Sequence, residues 1–116
     1  MTISDFIEKY YLHDSGLDEI IVDQENRTVR LLVDLCNWMQ DDYVEGEPEI
    51  KPIEIVFSGV SKCENLNRAI DKDFGDEFIA ADMEDDGTFH AEIETSKDQE
   101  YYEIKIQAED VQVIER

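Results

Sequence analysis

FIAADMEDDGTFHAEIE, residues 78–94, alternates apolar and polar residues on either side of Asp86-Gly87. That alternation is the period of a half-buried β-strand, and Asp-Gly is a strong hairpin signal. Two registers compete. A two-residue loop at Asp86-Gly87 sets Phe89 opposite Glu84 and Ile93 opposite Ala80. A three-residue loop, Asp85 to Gly87, pairs Met83 with Phe89, Ala81 with Ala91 and Ile79 with Ile93. Slipping by one residue turns every side chain to the other face, so burial selects the second register. Its loop is a type I turn closed by a left-handed residue, and Gly87 fills the position that needs positive φ.

The same pattern extends in both directions. Toward the carboxyl end, Ile93 faces Tyr102 and Ala91 faces Ile104 across a loop at Ser96 to Gln99, and a last strand covers Val111 to Ile114. Toward the amino end, Val22 pairs with Val29 and Ile20 with Leu31 around Gln24 to Arg27. Val29, Leu31, Val33 and Leu35 share one face of the second strand, and Leu32, Cys36 and Trp38 the other. That strand is therefore expected at the centre of the sheet, covered in part on both sides. IEIVF (53–57) is a third strand with Pro52 at its start, where a missing N–H is tolerated.

Two segments read as helical. Ile3, Phe6, Ile7 and Tyr10 form one apolar stripe over residues 3–12, with Thr2 and Asp5 as a capping box and Gly16 as the left-handed stop. In SKCENLNRAIDKDF (61–74), Ser61 with Glu64 resembles another capping box, and Cys63, Leu66 and Ile70 have helical spacing. A short helix over 62–73 is expected there, an irregular edge segment being the alternative. The fold class is α+β: one domain over 1–116, an antiparallel meander of about five to six strands with a short amino-terminal helix packed on one face.

Charge dominates the composition. Ten basic residues stand against 31 acids, a formal net charge of −21, which disfavours nucleic acid and anionic membranes as direct ligands. The longest apolar run, Phe78 to Ala81, is far too short to span a bilayer. The acidic start MTISDFIEKYY does not read as a secretory signal, so the cytoplasm is the expected compartment, with Cys36 and Cys63 as free, buried thiols.

His13, Asp14 and Ser15 are the residue types of a hydrolase triad, but three consecutive residues cannot readily form its relay. They read as a connector, with Asp14 and Ser15 bonding nearby backbone. Leu12 to Ser15 after a short helix, together with Phe57-Ser58-Gly59-Val60 closing the third strand, resembles several small bacterial families of uncharacterised or immunity-type proteins. The immunity proteins among them bind and neutralise toxin domains of polymorphic toxin systems without catalysis. The resemblance implies such a role and no catalytic residue.

Asp82, Glu84, Asp86 and Gly87 occupy positions 1, 3, 5 and 6 of a calcium loop, yet position 12 is Ile93 and flanking helices are absent. His90, among Glu92 and Glu94, lacks a paired ligand spacing and reads as solvent-exposed. No metal or other cofactor is assigned. NWMQDDYVEGEPE (37–49) carries more weight: a long connection mixing aromatics with acids, as interaction hot spots do. The candidate partner-binding residues are Trp38, Asp41, Asp42, Tyr43, Glu45 and Glu47. The leading expectation is a non-enzymatic domain that docks a basic protein. The alternatives are a metal-binding or enzymatic domain using His13, His90 and nearby carboxylates, and an acidic DNA mimic.

Overall fold

A computed structural model describes residues 1–116. Helix α1 (Ile3–Lys9) precedes eight strands: β1 (Gly16–Asp23), β2 (Thr28–Cys36), β3 (Ile50–Ser58), β4 (Lys62–Glu64), β5 (Asp76–Met83), β6 (Phe89–Thr95), β7 (Tyr101–Gln107) and β8 (Asp110–Glu115). All pair antiparallel in one sheet, ordered β4-β7-β6-β5-β1-β2-β3-β8. The class is as expected, but the strand count exceeds five to six.

The extra strands come from two bends. β4 follows β3 after Gly59, Val60 and Ser61, and β8 follows β7 after Ala108 and Glu109. β3 pairs with β8 and β4 with β7, so two long strands run side by side and bend together. The sheet thus curls, because the continuous β3–β4 segment pairs with β8 at one end and with β7 at the other. Backbone bonds carry the pairing through the bend: Ser61 N–H to the Gln107 carbonyl and Glu109 N–H to that of Ser58, 2.9 and 3.0 Å. Val60 N–H reaches the Arg27 carbonyl, and Arg27 Nε returns a bond to the Val60 carbonyl.

Strand alternation fills the interior. Val29, Leu31, Val33 and Leu35 of β2 are buried with Ile53, Ile55 and Phe57 of β3. Phe89, Ala91 and Ile93 of β6 and Tyr102, Ile104 and Ile106 of β7 complete the core. Helix α1 packs against β5 and β8. Its Phe6 ring lies 6.5 Å from Phe57 and 6.1 Å from Phe89, an edge-on arrangement that aromatic quadrupoles favour. The Thr2–Asp5 capping box forms as expected.

The expected pairs of the β1–β2 and β6–β7 hairpins are present, Val22 with Val29, Ile20 with Leu31, Ile93 with Tyr102 and Ala91 with Ile104; before Glu19 the β1–β2 ladder shifts at a bulge, and Leu17 faces Val33. So is the β5–β6 loop: Met83 faces Phe89, Ala81 faces Ala91, and Gly87 has φ 88°. Below Ala80 that ladder shifts at a bulge, and Phe78 rather than Ile79 faces Ile93. The larger ring takes the core position; Ile79 stays half-buried.

Other expectations are corrected. The helix stops at Lys9, because Tyr10 is already extended at φ −117°. Asp14, not Gly16, takes the left-handed conformation (φ 66°), and Gly16 opens β1. Pro52 lies inside β3, opposite Asp34. No helix forms over 62–73: Lys62–Glu64 joins β7, Asn65 turns left-handed at φ 63°, and the chain runs irregularly to β5. Asn65 Nδ2 bonds the Glu103 carbonyl, 2.8 Å, and Leu66 enters the core. Cys36 is buried, whereas Cys63 is exposed.

Candidate functional site

β2 ends and β3 begins with Cys36 facing Ile50, so residues 37–49 form a loop closed at its base by a paired strand position. Two buried amides hold it. Asn37 and Trp38 both donate backbone N–H groups to the Glu49 carbonyl, and Asn37 Nδ2 donates to that of Pro48, 2.8 Å. Gln40 Nε2 bonds the carbonyls of Tyr11 and Cys36, while its Oε1 accepts the Tyr11 N–H, 2.9 Å. Every polar atom that these side chains carry inward is paired, which removes the penalty of burying them and holds the loop to the helix exit.

On this base the candidate residues divide. Trp38 sits on a single 3-10 turn, Asn37–Met39, and is 51% exposed, so it does not cover the sheet. Asp41, Asp42, Glu45 and Glu47 are exposed. Tyr43 is half-buried, and its hydroxyl donates to the Glu47 carbonyl, 3.3 Å. The Glu47 carboxylate in turn accepts the Val44 N–H, 2.8 Å. None of Asp41, Asp42, Glu45, Glu47 and Glu49 pairs with a lysine or arginine. Several bases elsewhere are engaged with other acids: Arg30 with Glu54, Lys51 with Glu115, Lys105 with Glu84, and Arg116 with Asp18 and Asp34.

Residues outside the predicted set also reach solvent here. Tyr11 is exposed beside the Gln40 seam, as are Val44 at the tip and Ile50 at the base. Nothing in the sequence marked Asn37 and Gln40, since a buried amide and a solvated one look alike until their partners are placed. Tyr11 had a weaker signal, lying one residue outside the apolar stripe that ends at Tyr10.

The other candidates are occupied with structural work. The Ser15 hydroxyl is fully buried and accepts the Cys36 N–H at 2.9 Å. His13 Nδ1 donates to the Ile79 carbonyl, 2.6 Å, with Nε2 3.4 Å from Asp14. The imidazole and the hydroxyl therefore serve different strands, and the triad types are not brought together. Burial, with the charges of Asp14 and Glu77, pushes the Cys36 thiol above its ordinary pKa, so it is held protonated.

His90 is half-buried rather than solvent-exposed. Its Nδ1 lies 3.0 Å from Asp82 and its Nε2 2.7 Å from Glu103, one carboxylate from each neighbouring strand. Burial opposes the imidazolium, but the two carboxylates outweigh it and raise its pKa. With both nitrogens bonded, the ring bridges β5 and β7 across β6. In the calcium-like stretch the acids diverge: Asp82 goes to His90, Glu84 to Lys105, and Asp86 caps the Thr88 N–H. No group of three histidine, cysteine or acidic side chains is arranged to hold a metal ion. No helix is long and apolar enough to cross a membrane.

Comparison with protein-family models, curated proteins and solved structures found no match to this chain.

Proposed function

We propose that this chain is a non-catalytic binding protein that docks a basic protein partner through the loop between Cys36 and Ile50. Acting in the cytoplasm, it would serve as an immunity protein against a basic toxin domain, the role implied by the Leu12–Ser15 and Phe57–Val60 elements. One observation carries the reading: five acids without a basic partner share a loop with a half-exposed tryptophan, and that loop is held by buried amides. Unpaired surface carboxylates steer a cationic partner, and an aromatic that can be desolvated supplies the slow-dissociating contact. A pre-formed loop also loses less conformational freedom on docking than a mobile one.

The test is affinity capture from the native lysate with two baits: the wild-type protein and a variant carrying Asp41→Asn, Asp42→Asn and Glu45→Gln. A basic protein retained by the first, released by salt and not retained by the second supports the reading. Equal retention by both overturns it. Stoichiometric metal in the purified protein would instead support the alternative built on His13 or His90.

A further inference from the structure

The inward face of β1 is buried at one end and open at the other. Leu17, Ile20 and Val22 face Val33, Leu31 and Val29 across the ladder, and directly opposed residues share a face of the sheet. All three should then be core. Leu17 is fully buried, Ile20 half-buried, and Val22 is 39% exposed. The gradient follows the loss of a neighbour. β5 pairs with β1 only at Gly16 and Leu17, and beyond them β1 is bonded on the β2 side alone. None of the loop, turn or side-chain hydrogen bonds involves the backbone of Ile20, Ile21, Val22 or Asp23.

A slot of about 640 Å³ fills the missing position, lined by Ile20, Val22, Leu66, Asn65, Asn67 and Arg68 among others. A smaller recess of about 160 Å³ continues it past Val22 and Cys63 toward Arg27 and Lys62. Its far wall includes β4, which pairs with β7 on one side only. Two open strand edges therefore flank an apolar floor, the arrangement that accepts an added strand. The charge of the walls is unusual for this molecule. Arg27, Lys62 and Arg68 line the two recesses against one lining acid, Asp23, with Glu64 paired to Lys62 at 3.9 Å from just outside, in a chain whose net charge is −21.

We propose that this slot binds an extended peptide segment that alternates apolar and acidic side chains, adding as a strand to β1. Its apolar residues would cover Ile20, Val22 and Leu66, and its carboxylates would meet Arg27, Lys62 and Arg68. At physiological ionic strength the Debye length is about 8 Å, so Arg27, Lys62 and Arg68, offset in part by Asp23 and by Glu64 paired with Lys62 at 3.9 Å, set the field inside the slot, and the acids beyond that reach are screened. A second copy of the chain is the poorer occupant, because two strongly acidic molecules repel each other.

The experiment is amide hydrogen exchange on the full chain with a synthetic peptide of alternating valine and glutamate, long enough to span Asp18–Asp23. Saturating peptide is expected to slow exchange at Ile20–Asp23 by about tenfold or more. The same peptide N-methylated at alternate residues should give no protection there. A valine–lysine peptide should bind the acidic surface elsewhere without protecting these amides. Lys62→Glu, at an exposed position, should weaken the valine–glutamate peptide about tenfold, as expected for removing and reversing a complementary charge. The proposal is overturned by unchanged exchange at Ile20–Asp23, or by equal protection from the lysine peptide. Protection that grows with protein concentration alone would overturn it in favour of a second copy.

Discussion

The Ser15 hydroxyl and the Cys36 amide meet 2.9 Å apart in a fully buried position, tying the chain just before β1 to the end of β2. Ser15→Ala removes the acceptor and leaves a buried N–H without a partner. The expected cost is about 1–3 kcal/mol in chemical denaturation, the usual penalty for an orphaned buried donor. Any hydrolytic activity found in a preparation should be unchanged by it. A wild-type denaturation midpoint for the variant would show that this bond contributes nothing.

Gly59 and Gly87 both hold positive φ, 63° and 88°, but their surroundings differ. A Cβ on Gly59 would lie 2.8 Å from Glu109 Cβ and 2.6 Å from its Oε2, whereas Gly87 has open space. Gly87→Ala meets only the backbone penalty, about 1 kcal/mol. Gly59→Ala adds a clash where β3 and β8 bend together, and should cost at least about 1 kcal/mol more by the same denaturation measurement. Equal losses would mean that the bend opens freely.

These bends also mark where sequence pattern stopped being enough. The hairpins were legible because period-two alternation admits one register that buries its apolar set, as Ile93 with Tyr102 and Val22 with Val29 illustrate. The segment after Ser61 was not, because Cys63, Leu66 and Ile70 satisfy helical spacing while long-range pairing decides otherwise. Lys62–Glu64 extends the ladder with β7, and the Asn65 side chain closes on the Glu103 carbonyl. Within the loop, Trp38 and the acids were visible as exposed types. Tyr43, read as a contact residue, also donates its hydroxyl to the Glu47 carbonyl, a bond that composition does not reveal.

His90 predicts a pH dependence. Its folded-state pKa is raised above the ordinary 6.5 by Glu103 and Asp82, against the opposing effect of burial. A group whose pKa is higher when folded stabilises the fold fully below its unfolded value and loses that contribution as pH rises through the folded one. Stability should therefore fall as pH is taken upward from 6.5, and His90→Gln should remove that component. Parallel pH profiles for wild type and variant above 6.5 would refute the assignment.

A net charge of −21 on one small fold implies self-repulsion at low ionic strength. Raising salt to about 0.15 M shortens the Debye length to about 8 Å and should raise the Tm. The ion pairs oppose this trend, but they are mostly exposed and worth little each. A Tm that stays flat or falls between low and physiological salt would show that the carboxylates are spaced too widely to repel effectively.

The loop at 37–49 separates steering from holding. Asp41, Asp42 and Glu45 are exposed and bonded to no base, so their effect on a basic partner is chiefly long-range attraction. Changing them to Asn, Asn and Gln should slow association about tenfold or more at low salt and flatten its salt dependence, with dissociation little altered. Trp38 is half-exposed on a pinned 3-10 turn, so Trp38→Ala should speed dissociation and cost about 2 kcal/mol or more. Gln40→Ala tests the pinning itself. It frees the Tyr11 and Cys36 carbonyls without removing a surface side chain, and should weaken binding through a mobile loop whose amides near Tyr11 exchange faster. Stopped-flow association and dissociation with the captured partner resolve the three effects. Wild-type kinetics for all three variants would place the interface elsewhere on the acidic surface and leave residues 37–49 as a solvated connection.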